Sequence, residues 1–184
     1  MALTESDMRM PLGAKIPKFK LLSVSGAEFN SEILHHQAAL IVFICNHCPY
    51  VIHLRDALNL VCAELKKKGI HCLAVNSNDA EQYPADSYEK MKEESNYFNY
   101  HFEYLYDETQ EVAKSFNAVC TPDFYLFDEN NELYYRGQFD GSRPGNSLKP
   151  DGVDLLAAVE QMNAGRKPFE QGSPSIGCSI KWKK

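Results

Sequence analysis

The chain has no long hydrophobic run. No stretch approaches the ~18 consecutive apolar residues of a membrane-spanning helix, and the opening MALTESDMRMPLGAKIPKF has no apolar core of signal-peptide length. The expectation is a cytoplasmic protein without a membrane partner. Positive charge is also in short supply. Nineteen Lys and Arg stand against 25 Asp and Glu, a formal net charge of −6, which argues against nucleic acid or an anionic lipid surface as partner. The aromatic stretch from Tyr97 to Tyr106 has no Lys or Arg to accompany base stacking and does hold Glu103, so it reads as core packing around a short strand. Internal repeats and low-complexity segments are missing as well. There is one CxxC and no second, whereas a structural zinc site usually takes two close ligand pairs. Six cysteines in a reducing compartment point to catalytic, metal-binding or buried thiols rather than a disulfide framework.

What remains is an ordinary globular composition, 44% hydrophobic and 24% charged over 184 residues. That length suits one domain spanning 1–184, with an irregular N-terminal segment over 1–18 and a C-terminal tail over 165–184. Between them strands and helices alternate. Phe19 to Val24 reads as a short strand, and Glu32 to His36 as a helical turn. Ala39 to Ile44 is a continuous apolar run, the mark of a buried strand. Val51, Leu54, Leu58, Val61 and Leu65 then recur at helical spacing over about 49–68, closed by Lys66 to Lys68 and Gly69. Ile70 to Asn76 is a second central strand. Helices are expected over Asp86–Glu94, capped by Asp86 or Ser87, and over Glu108–Asn117. Phe102 to Tyr106 is a short strand between them. Phe124–Phe127 and Leu133–Gly137 flank the turn signal Asp128-Glu129-Asn130-Asn131, a hairpin. A last helix, Asp151 to Ala164, points Val153, Leu156, Val159 and Met162 inward. This order predicts an α/β fold, a central mixed β-sheet flanked by helices.

The run Cys45-Asn46-His47-Cys48-Pro49 falls where the first central strand becomes a helix. A helix N-terminus stabilises a thiolate, and the thiolate is the nucleophile of disulfide chemistry. Pro49 leaves two starts open. Either the helix begins at Asn46 with Pro49 in its first turn, or Cys48 is the N-cap and Pro49 the first helical residue. In the second case Cys48 sits closest to the helix dipole. An imidazolium at His47 near the Cys45 sulfur would favour the Cys45 thiolate; a plain loop side chain is the alternative.

A CxxC at the first strand-to-helix junction resembles the thioredoxin fold. Thr121-Pro122, about 75 residues later and just before the hairpin, strengthens the likeness, since that superfamily places a cis-proline there against the CxxC. The resemblance implies an open backbone edge at Thr121 on which an extended substrate adds as a strand. More narrowly, the chain resembles the peroxiredoxin-like branch of the alkyl hydroperoxide reductase and thiol-specific antioxidant superfamily. The residues carrying this are CNHCPYV at 45–51, Tyr106-Asp107-Glu108-Thr109-Gln110, CTPDFYLFD at 120–128, Tyr135-Arg136-Gly137, Ser142-Arg143-Pro144-Gly145-Asn146 and PSIGCSIKW at 174–182.

That resemblance implies a thiol–disulfide oxidoreductase. Its substrates would be protein disulfides or small thiols, its electron donor a dithiol protein or glutathione, and it would need no cofactor. Cys45 is then the more exposed, attacking thiol and Cys48 the resolving one, with His47, Cys120, Thr121 and Pro122 completing the site. Asn46 departs from the Gly or Pro common at its position. Cys120 reads either as a third redox thiol or as a small buried residue, and Cys178 as a thiol folded back to the site or an anchor of the tail. Cys62 and Cys72 read as core. The rival activity is reduction of hydroperoxides. The peroxidase pattern Pro-x-x-x-Thr/Ser-x-x-Cys would put its cysteine on Cys48, but Ile41 and Cys45 occupy the Pro and Thr/Ser positions. Arg143 or Arg136 would have to supply that site's arginine. A metal module using Cys45, Cys48, His47, His53, Cys120 and Cys178 is the other alternative.

Overall fold

The computed structural model describes residues 3–168, 170 and 172–184. Ten strands occur among them. The first five are β1 (Leu3–Glu5), β2 (Lys20–Ser23), β3 (Glu28–Asn30), β4 (Ala39–Phe43) and β5 (His71–Asn76). The rest are β6 (Glu103–Tyr106), β7 (Cys120–Thr121), β8 (Asp123–Phe127), β9 (Leu133–Gly137) and β10 (Ile176–Ser179). The α-helices are α1 (Pro49–Lys67), α2 (Tyr88–Tyr97), α3 (Glu111–Ser115) and α4 (Val153–Asn163). No helix among the described residues is long and apolar enough to cross a membrane.

All five residues of β4 are buried, as a strand without a polar face requires. It lies inside a seven-stranded sheet of order β3-β2-β6-β5-β4-β8-β9. β4 pairs parallel with β5 and β5 parallel with β6, while β4–β8, β8–β9, β2–β6 and β2–β3 are antiparallel. The sheet is mixed, as the element order predicts. Alternation along β4 splits its side chains between two cores. Leu40 and Val42 face Val51, Leu54, Leu58 and Leu65 of α1. Ile41 and Phe43 face Phe116, Tyr125 and Phe127. Each fully buried aliphatic or aromatic side chain contributes roughly 1.5–3 kcal/mol, so the α1 stripe alone fixes how the helix lies on the sheet. α1 ends with Lys66 and Lys67 in its last turn and Gly69 at φ +78°.

Several boundaries move for local reasons. α2 begins at Tyr88, capped by Ser87, whose hydroxyl accepts from the Lys90 amide; Pro84–Asp86 forms a separate 3-10 turn. α3 is shorter than the expected 108–117. Gln110 is left-handed at φ +65°, and the Asp107 carboxylate accepts from the Ala113 amide at 2.9 Å. On α4 Val159 is buried and Leu156 and Met162 pack partly buried against the core as expected, joined by Leu155 and Ala158, but Val153 is exposed, a correction at the first turn. The phase is set before the helix begins, where the Asp140 carboxylate holds the Asp151 and Gly152 amides at 2.7 and 2.8 Å.

The terminal segments hold structure that the sequence pattern does not announce. β1, β10 and β7 form a second, three-stranded antiparallel sheet. Beyond β10, Ile180 is buried, and Lys181 is tied to Asn78 and Asp79 through its amide and carbonyl.

Candidate active site

β4 delivers Cys45 one residue past its hydrogen-bonded end, after Ile44, whose amide donates to Val75 at 2.9 Å. Cys48 is the N-cap of α1, with φ −72° and ψ 121°, and Pro49 is the first helical residue. Of the two starts left open by the sequence, this one places Cys48 nearest the positive end of the helix. Against the pair lies the Thr121–Pro122 peptide, which is cis. Cys45 Sγ is 3.4 Å from Thr121 Oγ1, and Cys48 in its protonated form donates to the Thr121 carbonyl at 3.2 Å.

Both thiols are inside. Cys45 is 1% and Cys48 0% exposed, so the expected greater exposure of Cys45 is corrected. The surroundings favour Cys48 as the acidic thiol, the reading that goes with the second helix start. The Cys45 thiol, then the Cys178 thiol and the Val51 and Cys178 amides, stabilise a Cys48 thiolate and outweigh burial, so its pKa falls to about 5. The same Cys48 contact, followed by burial and the Asp86 charge, raises Cys45 well above an ordinary thiol.

His47 pairs with Asp86 beside the Cys45 sulfur. Its Nδ1 lies 2.6 Å from Asp86 Oδ2, and its ring stacks on Tyr83 at 5.6 Å and 7°. Asp86 raises the imidazole pKa, against burial. Asp86 is the residue that sequence reading missed, having been considered only as a helix cap. It is fully buried and accepts from the Asn46 amide and from Asn78 Nδ2, each at 2.8 Å. Burial pushes its carboxyl up, but His47, Asn78 and Asn46 together hold it below the usual carboxylate range. Asn46 in turn donates to the Ala85 carbonyl at 2.9 Å and accepts from the Tyr104 hydroxyl at 2.8 Å. The two residues between the cysteines are thereby clamped to the segment before α2. The ligand atoms of Cys45, His47 and Asp86 all lie within 4.8 Å of one another, a donor set compatible with zinc. The oxygens of Asp86 are already engaged by Asn46, Asn78 and His47.

Other expected residues fall elsewhere. Cys120 is buried on β7 with its sulfur 3.9 Å from the Pro122 carbonyl, and burial raises its pKa. Cys72 lies against the Cys62 carbonyl at 3.8 Å, in the core. Arg136 is fully buried, 3.3 Å from Asp123 Oδ2 and 2.6 Å from the Tyr125 hydroxyl. Arg143 donates to the Asp140 and Ser142 carbonyls and to Gln138. Arg136 Nε and Nη1 and Arg143 Nε are buried without a hydrogen-bond partner among the described residues. The loop at 142–144 does line a recess with Tyr50, Pro122 and Ile176. The open edge expected at Thr121 is not open: β10 occupies it, with Cys178 opposite Thr121.

A model of the AhpC/TSA family matches residues 12–136, and the chain belongs to that family. No curated protein matches in sequence. Among solved structures, an uncharacterized conserved protein from Geobacillus kaustophilus is 48% identical, with a TM-score of 0.95 over 100% of this chain and 97% of that one. A hypothetical protein from Sinorhizobium meliloti 1021 is 40% identical, with a TM-score of 0.93 over 98% of each chain. The thioredoxin domain of a thiol-disulfide oxidoreductase from Bacteroides vulgatus is 17% identical, with a TM-score of 0.62 over 83% of this chain and 97% of that one. The fold is thioredoxin-like, and family membership supports a redox thiol function in general.

Proposed function

We propose that this AhpC/TSA family member is a thiol–disulfide oxidoreductase that exchanges through Cys48 and Cys45. One arrangement carries the reading: Cys48 at the N-cap of α1, with Cys45 beside it and the cis Thr121–Pro122 peptide against both sulfurs. Cys48 attacks one sulfur of a substrate disulfide. That S–S bond breaks, one substrate thiolate leaves, and a mixed disulfide forms on Cys48. Cys45 then loses its proton and attacks Cys48 Sγ, releasing the second substrate thiol and leaving a Cys45–Cys48 disulfide. The His47–Asp86 pair, within 4.8 Å of the Cys45 sulfur, is placed to receive the proton. Two electrons pass to the substrate, and a dithiol protein or glutathione restores the reduced pair. The same steps run backwards when the partner is a dithiol. Stabilising the Cys48 thiolate stabilises the reduced form, so the potential lies above the roughly −270 mV of thioredoxin.

The test is equilibration in defined glutathione buffers with peptide mapping by mass. A reversible Cys45–Cys48 disulfide between roughly −120 and −270 mV supports exchange. The N-cap position of Cys48, together with the family, favours hydroperoxide reduction as a second reading. If no such disulfide forms and peroxide converts Cys48 to a sulfenic acid, that reading replaces the first.

A further inference from the structure

β10 lies where a polypeptide substrate would bind by strand addition. It runs antiparallel to β7, with Cys178 opposite Thr121 and Ser179 opposite Cys120. The fit is close. A Cβ on Gly177 would stand 2.6 Å from the Thr121 carbonyl carbon and 3.1 Å from Pro122 Cδ, so a residue with a side chain would push the strand off the edge. This approach brings Cys178, 4% exposed, against the active thiol. Cys178 stands opposite Thr121, whose carbonyl lies 3.2 Å from the Cys48 sulfur, and the two cysteines share one buried cluster. The Cys48 sulfur therefore has a second cysteine beside it, on the opposite strand from Cys45.

We propose that Cys178 is a third exchanging thiol of this site, and that Ile176–Ser179 occupies the substrate edge as an internal substrate whose cysteine forms a disulfide with Cys48. This rests on the thiol-exchange reading. With oxidised glutathione as oxidant, the Cys48 thiolate attacks one glutathione sulfur. It forms a Cys48–glutathione mixed disulfide and expels one glutathione thiolate. Cys178 gives its proton to that thiolate and attacks Cys48 Sγ, and the second glutathione leaves. Two glutathiones are released and a Cys48–Cys178 disulfide is formed. Cys45 can attack Cys48 in turn, returning Cys178 to a thiol and closing the Cys45–Cys48 disulfide.

Full-length wild type, Cys45→Ser, and Cys45→Ser with Cys178→Ser are treated with oxidised glutathione, quenched in acid and mapped by mass. Cys45→Ser is expected to give mainly the Cys48–Cys178 disulfide. The double variant is expected to accumulate Cys48–glutathione at least tenfold above it. Equal Cys48–glutathione in both, or no reaction at Cys48 in either, overturns the proposal. Cys45→Ala repeats the comparison should the serine variant fold poorly. Adding Gly177→Ala to Cys45→Ser is expected to lower the Cys48–Cys178 yield severalfold; an unchanged yield removes the strand-edge argument. The wild-type arm reports separately on the Cys45–Cys48 pair, so loss of that disulfide with Cys48–Cys178 intact counts against the proposed function and not against Cys178.

Discussion

Replacing Cys45 with alanine removes the leading donor to the Cys48 thiolate. A hydrogen bond to a charged group nets about 1.5–3 kcal/mol, and one pKa unit corresponds to about 1.4 kcal/mol. In Cys45→Ala the Cys48 pKa should therefore rise by about 1–2 units from its value of about 5. It should stay below the ~8.5 of a free thiol, because the Cys178 thiol and the Val51 and Cys178 amides still face the sulfur. The folded-state pKa is depressed, so the stabilisation is complete above ~8.5 and is lost as the pH falls through about 5. In the variant that loss begins at higher pH. Both cysteines are buried, so alkylation rates would mix acidity with opening. The cleaner assay is a pH titration of the cysteine Cβ chemical shifts by NMR, with the pair reduced. If Cys45 titrates first in the wild type, or Cys48 titrates near ~8.5, the assignment of the thiolate is refuted. If Cys48 is acidic but unmoved in Cys45→Ala, the donor has been misidentified.

Asp86→Asn should abolish the raised His47 pKa, shown by titrating the imidazole by NMR, and cost about 1–3 kcal/mol of stability in denaturant unfolding. The cost should be largest between about pH 4 and 6.5. It should shrink above that window as wild-type His47 loses its proton, and below it as Asp86 gains one; a cost that grows with pH would contradict the ion pair. Arg136→Met leaves the fully buried Asp123 without its guanidinium and should cost about 3–5 kcal/mol in urea unfolding at neutral pH. That cost should be less at acid pH, because burial already raises the Asp123 carboxyl to about 6. Cys120→Ala should leave the rate of disulfide exchange within about twofold of wild type, since the sulfur contacts the Pro122 carbonyl and costs only a small buried group. A tenfold loss in a stopped-flow exchange assay would return Cys120 to the redox site.

The strand 39–43, the helix from Pro49 and the hairpin over 123–137 were legible because each is written in a local pattern: an apolar run, a stripe at helical spacing, a turn signal between two strands. The CxxC and Thr121-Pro122 were legible as motifs, and the sheet brings them within hydrogen-bonding distance. Asp86 was not legible. Its partners Asn46, His47 and Asn78 lie up to 40 residues away, and nothing in Pro84-Ala85-Asp86 distinguishes a carboxylate that clamps an active site from one that caps a helix. On α4 only Val153 was misplaced, at the first turn, where Asp140, outside the helix, holds the Asp151 and Gly152 amides.

By itself the sequence determined that two thiols sit where a buried strand meets a helix, in a mixed α/β sheet, because periodicity and helix capping depend on near neighbours. Only the tertiary structure decided which groups face each thiol, what holds His47, and that the C-terminal strand lies across the Thr121 edge. Each of those depends on the direction of a hydrogen bond or the closeness of two backbones that meet only once the chain has folded.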